Sequence, residues 1–155
     1  MIEREPDPYC KTDQFAAKNG MVVTELGENF AKAQMTIDES FLNGLGIPMG
    51  GAYFTLGDFT FGAANQYITN GVVTLDASID FIASAKLGDT VTATCTQVSR
   101  ARKIVRNLIE MHDQDGKLLC VMRCTGYRKE TWNCAPAEIE AFTLSAHACA
   151  FSSVI

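Results

Sequence analysis

The residues whose types and spacing suggest chemistry lie between positions 48 and 58. Pro48-Met49-Gly50-Gly51 ends a loop where a long apolar run begins. The first N–H groups of a helix have no partner inside it and point outward, and their partial positive charge adds to the helix dipole. Glycine there lets a substrate oxygen come close, so Gly50 and Gly51 suit an oxyanion hole or anion site. The same fragment also reads as a plain loop-to-helix turn. Further on, Asp58 is set among Tyr53, Phe54, Leu56, Phe59 and Phe61. A carboxylate buried in such company must be paired, protonated or placed at a solvated cleft. One reading is a structural Asp held by backbone N–H groups or by the Thr60 hydroxyl. The other is a working Asp, raised in pKa by its apolar neighbours, that acts as general base or nucleophile.

These residues need elements to hold them. The segment 51–67 is apolar on nearly every side, which predicts a buried helix of about four turns. Gly57 and Gly62 inside it cost about 1 kcal/mol each against Ala, and close approach of a neighbouring backbone would explain them. Before this helix, residues 21–26 and 30–37 read as two strands joined by a tight hairpin at Gly27-Glu28-Asn29. After Asn70-Gly71 the period becomes two. Val73, Leu75, Ala77, Ile79 and Phe81 alternate with polar residues, which predicts a half-buried strand. Leu87-Gly88-Asp89 turns the chain, 90–98 and 104–111 read as further strands, and Asp113-Gln114-Asp115-Gly116 makes a hairpin turn into a last strand over 118–127. Short links imply antiparallel neighbours. The order is two strands, one buried helix and four strands. A sheet curled round the helix satisfies both patterns. A short helix over 8–18, stopped by Asn19-Gly20, precedes the sheet. A tail over 131–155 carries a possible helix start near Pro136.

Composition bounds the function. The chain has 155 residues, 47% hydrophobic and 20% charged, with a net charge of −5. That length suits one domain with its own core, and the acidic balance argues against a nucleic-acid binder. The N-terminus MIEREPDPYC is acidic and lacks an apolar core, which argues against a secretory signal. No run approaches the about 18 apolar residues of a membrane span. Six cysteines, at positions 10, 95, 120, 124, 134 and 149, form no dense framework, which predicts reduced thiols and a cytoplasmic protein.

Four other signals bear on function. Arg100, Arg102, Lys103 and Arg106 make the densest basic stretch. It lies at a turn between strands, where Arg100, Arg102 and Lys103 suit phosphate oxygens or form an ordinary solvated hairpin. Gly44, Gly46 and Gly50 mimic a dinucleotide loop, but that motif needs a parallel β-α-β unit. Cys120, Cys124 and His112 lack the spacing and the fourth ligand of a zinc site, so buried thiols are expected. His147 reads as structural.

The stretch Asn43…Pro48-Met49-Gly50-Gly51…Leu56-Gly57-Asp58 resembles the active-site segment of hotdog-fold acyl-CoA thioesterases, most of all their PaaI-type (phenylacetate-pathway) branch. Asp80-Phe81-Ile82-Ala83-Ser84-Ala85-Lys86-Leu87-Gly88-Asp89 is similar to that family's strand-and-turn signature. So is Asp113-Gln114-Asp115-Gly116-Lys117 followed by a strand. The resemblance covers roughly residues 20–128. It implies an α+β hotdog fold: an antiparallel sheet of five to six strands wrapped around one long central helix, in a single domain over 1–155. Two chains would pair into a continuous sheet with active sites at the dimer interface, and two dimers into a homotetramer.

The resemblance also implies roles. The catalytic carboxylate falls on Asp58, and the oxyanion-hole N–H on Gly50, with Gly51 beside it. Asn43 matches a polar residue that orients the attacking water or the thioester. Thr74 falls near a family hydroxyl on the strand after the helix. The substrate would be an acyl-CoA whose phosphates meet Arg100, Arg102 and Lys103. Neither metal nor redox cofactor is implied, and CoA enters only as part of the substrate. One departure stands out: Met49 replaces the His that PaaI-type enzymes usually carry before the two glycines, and methionine cannot donate a hydrogen bond or hold a proton. A hotdog protein that binds acyl-CoA without cleaving it is therefore the alternative. A hotdog dehydratase ranks last, because that chemistry needs an Asp–His pair.

Overall fold

The computed structural model describes residues 13–66 and 71–129. The expected tail helix near Pro136, the first part of the 8–18 helix, His147 and Cys10, Cys134 and Cys149 lie outside these residues. In chain order the elements are α1 (Gln14–Lys18), β1 (Val22–Gly27), β2 (Phe30–Thr36), a 3-10 turn (Glu39–Phe41), α2 (Gly50–Gln66), β3 (Val72–Phe81), β4 (Thr90–Ala101), β5 (Ile104–His112) and β6 (Leu118–Arg128). The six strands form one sheet in the order β1-β2-β4-β5-β6-β3, and every neighbouring pair is antiparallel.

The sheet wraps α2 because one face of each central strand is apolar. Ala31, Ala33 and Met35 on β2, Val91, Ala93 and Cys95 on β4, Val105, Ile109 and Met111 on β5, and Cys120, Met122 and Cys124 on β6 are all buried. Against them α2 sets Tyr53, Leu56, Phe61 and Ala64. Gly57 explains itself here: a Cβ at that position would collide with Met122 Sδ and stand 2.7 Å from Met111 Cε. The helix thus rides directly on side chains of β5 and β6. The turns follow their residues. Glu28–Asn29 is a two-residue loop between the paired Gly27 and Phe30, and Asn29 takes φ 58°, a conformation asparagine tolerates.

Among the described residues the first helix begins at Gln14, where Asp13 caps it: Asp13 Oδ1 accepts from Phe15 N at 3.0 Å and Ala16 N at 2.9 Å. Three expectations are corrected. The alternation expected along β3 fails at Leu75 and Phe81, which are 59% and 56% exposed. β3 is an edge strand, and a bulge between Thr74 and Asp76 re-aims its side chains. The central helix is not buried all round. Gly51, Phe54 and Asp58 are exposed and Thr55, Phe59 and Gly62 half-buried, so one stripe of α2 stays open. The sequence hid that stripe because its one charge, Asp58, is set among small and aromatic residues. Finally, Ser99–Ala101 and Ile104–Arg106 belong to the paired ladder, which leaves only Arg102 and Lys103 in the β4–β5 turn.

Candidate active site

Asp58 sits on the open stripe of α2 and is exposed, which corrects the expectation of a buried carboxylate. Its partner is Thr74 on β3, whose Oγ1 donates to Asp58 Oδ1 at 2.8 Å. Thr60 plays no part, since its hydroxyl donates back to Leu56 O at 2.6 Å within the helix. Thr74 directly precedes the β3 bulge. One carboxylate oxygen is thus held by a hydroxyl on the sheet edge, while the other is left for solvent or a ligand. Cys124 is buried nearby. Burial pushes its thiol up to about 12, and the charges of Asp58 and Asp76 push the same way. Such a thiol is not a nucleophile at neutral pH. Cys95 and Cys120 are likewise buried free thiols.

Gly50 is the first residue of α2. Among the described residues, the N–H groups of Gly50 and Gly51 have no acceptor, whereas Ala52 N already donates to Met49 O at 2.9 Å. The loop before them is fixed. Met49 N donates to Phe41 O at 2.8 Å, Leu42 bridges Pro48, and Asn43 Oδ1 accepts from Leu45 N at 2.8 Å and Ile47 N at 3.4 Å. Asn43 therefore shapes the loop with its oxygen and keeps its Nδ2 donor. The Met49 side chain is 61% exposed. Gly50 also lies close under a ring: a Cβ there would stand 2.8 Å from Phe81 Cζ, so the ring would have to shift. The Phe81 ring meets Tyr53 edge-on at 6.4 Å, and Tyr53 OH accepts from Ala85 N at 2.9 Å.

Asp58 and Thr74 line a cavity of about 580 Å³, along with Phe54, Phe59, Val73 and Phe15. Of the three phenylalanines on α2, only Phe61 is fully buried in the core. Phe54 and Phe59 line this cavity instead. Within one chain the structure brings Thr74 to Asp58 but not Gly50. Eight helical positions separate the two, or about 12 Å of axis.

At the far end of β4 and β5, Arg100 and Arg102 are exposed and Lys103 Nζ lies 5.8 Å from the centre of the Tyr127 ring. Sequence reasoning missed Arg128, whose pKa is lowered by burial and then by the charge of Arg100. Its Nε is buried without a partner among the described residues. The parity of β6, with Cys120, Met122, Cys124 and Gly126 all buried, puts Arg128 on the same inward face. No cluster of three or more His, Cys, Asp or Glu residues suited to a metal occurs among the described residues.

An antiparallel six-stranded sheet wrapped round one helix, with a glycine pair opening the helix, defines the hotdog fold. A family model described as the thioesterase superfamily matches residues 45–120, a span that holds Gly50, Asp58 and Thr74. The acyl-coenzyme A thioesterase PaaI of Escherichia coli is 29% identical over 118 residues, 76% of this chain and 84% of that protein. The solved structure of E. coli PaaI, from the phenylacetic acid degradation operon, matches with a TM-score of 0.75 and 28% identity over 77% of this chain and 86% of that one. A hypothetical thioesterase of Streptococcus pneumoniae, solved with coenzyme A, shares the fold at a TM-score of 0.74 and 23% identity over 79% and 96%. The family match and the likeness to E. coli PaaI together support a PaaI-type hotdog thioesterase.

Proposed function

We propose that the protein hydrolyses acyl-CoA thioesters at a site shared by two protomers. The observation that carries this reading is the Asp58 carboxylate, held by Thr74 at 2.8 Å on the wall of a cavity. The thioester carbonyl oxygen accepts from the open N–H of Gly50, with Gly51 beside it. Asp58 of the partner subunit then takes a proton from water, which attacks the carbonyl carbon, or attacks that carbon itself through an anhydride. In both routes the C–S bond breaks and the thiolate takes up a proton to leave as CoA; in the second, water then cleaves the anhydride, which releases the free acid and restores the Asp58 carboxylate.

The split between protomers follows from length. Gly50 and Asp58 are about 12 Å apart along one helix, too far to act on one carbonyl together. The second copy has a place to pair, because β3 is an edge strand with Leu75 and Phe81 exposed. A continuous sheet across two chains would cover that edge. Asn43 Nδ2 is the donor left to orient the thioester or the water. Arg100, Arg102 and Lys103 are assigned to the CoA phosphates, and the chemistry rests on Asp58, the Gly50 N–H and water.

Thiol release from a panel of acyl-CoAs tests this reading, with Asp58→Ala as control. General acid–base catalysis contributes about 10²–10⁴-fold, so Asp58→Ala should lose turnover by at least the lower figure. Wild-type turnover in Asp58→Ala would overturn the assignment. The exposed Met49 favours one second reading, a binder without turnover. It would show as thermal stabilisation by acyl-CoA with no thiol released from any member of the panel.

A further inference from the structure

We propose that the Thr55 hydroxyl holds the attacking water against Asp58, so that Asp58 works as the base of the direct route. The inference rests on the thioesterase reading of Asp58 and Gly50. It adds to that site a second polar side chain from α2.

Thr55 lies three residues before Asp58 on α2. Side chains at that spacing share one face of a helix, with Cβ atoms about 5–6 Å apart. Both residues line the cavity. Their neighbours on the open stripe are Gly51, Phe54, Phe59 and Gly62, so Thr55 and Asp58 are its polar side chains. Asp58 is exposed and Thr55 half-buried, which sets a hydroxyl at the cavity wall beside a solvated carboxylate.

The threonines around this carboxylate differ in one respect. Thr60 Oγ1 donates to Leu56 O at 2.6 Å, and Thr74 Oγ1 donates to Asp58 Oδ1 at 2.8 Å. Thr55 Oγ1 has no hydrogen-bond partner among the described residues. A threonine inside a helix can satisfy its hydroxyl on the carbonyl one turn back, as Thr60 does, and Thr55 forgoes that bond. A β-branched residue with an idle hydroxyl is a poorer helix former than alanine, so helix stability does not account for it. Asp58 Oδ2 is likewise without a partner among the described residues. Two idle oxygens one turn apart on a cavity wall suit a bridging water, since bonds of about 2.8 Å to each oxygen span about 4.5 Å.

The water gives one hydrogen to Asp58 Oδ2 and the other to Thr55 Oγ1, which leaves a lone pair for the carbonyl carbon. As the new C–O bond forms, Asp58 takes the first proton. When the C–S bond breaks, that proton passes from Asp58 to the thiolate, and the free acid and CoA leave with the carboxylate restored.

The test compares Thr55→Val, which keeps the shape and deletes the hydroxyl, with Thr55→Ser, which keeps the hydroxyl. Thiol release is followed with the acyl-CoA of the panel that the wild-type protein cleaves fastest. A neutral hydrogen bond is worth about three- to tenfold, so Thr55→Val should lower kcat by that factor with KM unchanged, while Thr55→Ser keeps the wild-type kcat. Both variants should melt with the wild type. Crystals of the wild-type protein should show a water within hydrogen-bond reach of Asp58 Oδ2 and Thr55 Oγ1, and crystals of Thr55→Val should lose it. Wild-type kcat in Thr55→Val, equal losses in the two variants, a change confined to KM, or no water at Asp58 overturns the inference. So does a chain mass raised by an acyl group in Thr55→Val quenched during turnover, because a slowed second step would then let the anhydride accumulate. Failure of the thioesterase reading looks different: the wild-type protein releases no thiol from any acyl-CoA, while the water is present and leaves with the Thr55 hydroxyl.

Discussion

Thr74 Oγ1 donates to Asp58 Oδ1 at 2.8 Å, across the gap between the edge strand and the central helix. Sixteen residues of sequence and two kinds of element separate the pair. The contact fixes one oxygen of an otherwise exposed carboxylate on the wall of the cavity that both residues line. It also makes the edge strand, through its bulge, part of the site.

Thr74 should act by positioning. A hydrogen bond to a charged group is worth about 1.5–3 kcal/mol, so Thr74→Val should lower kcat about ten- to hundredfold with KM little changed. Thr74→Ser keeps the hydroxyl and should retain most of the activity. Steady-state kinetics on both variants check this. Equal losses in the two would mean that the methyl group matters and the hydrogen bond does not.

The Gly50 N–H can be separated from the Gly50 shape. Gly50→Ala keeps the N–H but places a Cβ 2.8 Å from Phe81 Cζ. That ring is 56% exposed and can swing aside, so Gly50→Ala should lose only part of kcat and recover it in a Gly50→Ala/Phe81→Ala double variant. Gly50→Pro occupies the same space and deletes the N–H, at a helix position that tolerates proline. Loss of an oxyanion donor costs about 10²–10³ in kcat, and removing Phe81 should not rescue it. Recovery of the proline variant would remove Gly50 N–H from the mechanism.

Much of this arrangement was legible in the sequence, because its signals are local. Composition and the turns between them marked β4, β5 and β6 as strands, and the glycine pair marked the start of the helix. What stayed hidden depends on which residues meet across the fold. Leu75 and Phe81 obey a period of two, yet they are exposed, since neither edge position nor bulge is written in the residues themselves. The exposure of Asp58 depends on an open stripe flanked by Phe54 and Phe59, whose aromatic side chains read as core. The match of Thr74 to a family hydroxyl was the looser one, and its contact with Asp58 appears only in three dimensions. Arg128 was hidden because a single basic residue closing a strand reads as solvated, while the parity of β6 turns it inward.

Two glycines under the helix should respond unequally to a methyl group. At Gly57 the new Cβ meets Met122 Sδ and Met111 Cε, the far ends of flexible side chains. Helix propensity returns about 1 kcal/mol to Gly57→Ala. At Gly126 it meets Val72 Cγ1 and Phe61 Cζ, which are stiff and buried. Overpacking of that kind costs about 1–3 kcal/mol. Calorimetric melting should therefore show Gly126→Ala several degrees below wild type and Gly57→Ala closer to it. The reverse order would mean that the methionines cannot move.

The turn before β4 should carry a pH signature. Asp89 accepts from Lys86 N at 2.7 Å and from Gln114 Nε2 at 2.9 Å, and these bonds hold its carboxyl below the ordinary value of 3.8. A lowered folded-state pKa stabilises the fold above the unfolded value, and that contribution is lost as pH falls through the folded one. Asp89→Ala should melt below wild type at pH 7, and the gap should close as pH drops under about 4. A gap independent of pH would assign the loss to the turn's shape and not to its charge.

The shared site makes the strongest demand on the assembly. If Gly50 of one protomer works with Asp58 of the other, neither Asp58→Ala nor Gly50→Pro alone can build a complete site in a homodimer. Subunits of the two variants, unfolded together and refolded as a mixture, will form heterodimers. One site of each heterodimer combines Gly50 N–H from one chain with Asp58 from the other, and the second site lacks both. With equal mixing and random pairing about half of the dimers are mixed, each with one working site in two, so about a quarter of wild-type turnover should return. The activity should appear only after co-refolding and should follow the mixing ratio, with a maximum at equal parts. Were Gly50 and Asp58 to act within one chain, no mixture of these two variants would regain activity, and the helix would have to bring its first residue and Asp58 to the same carbonyl across about 12 Å.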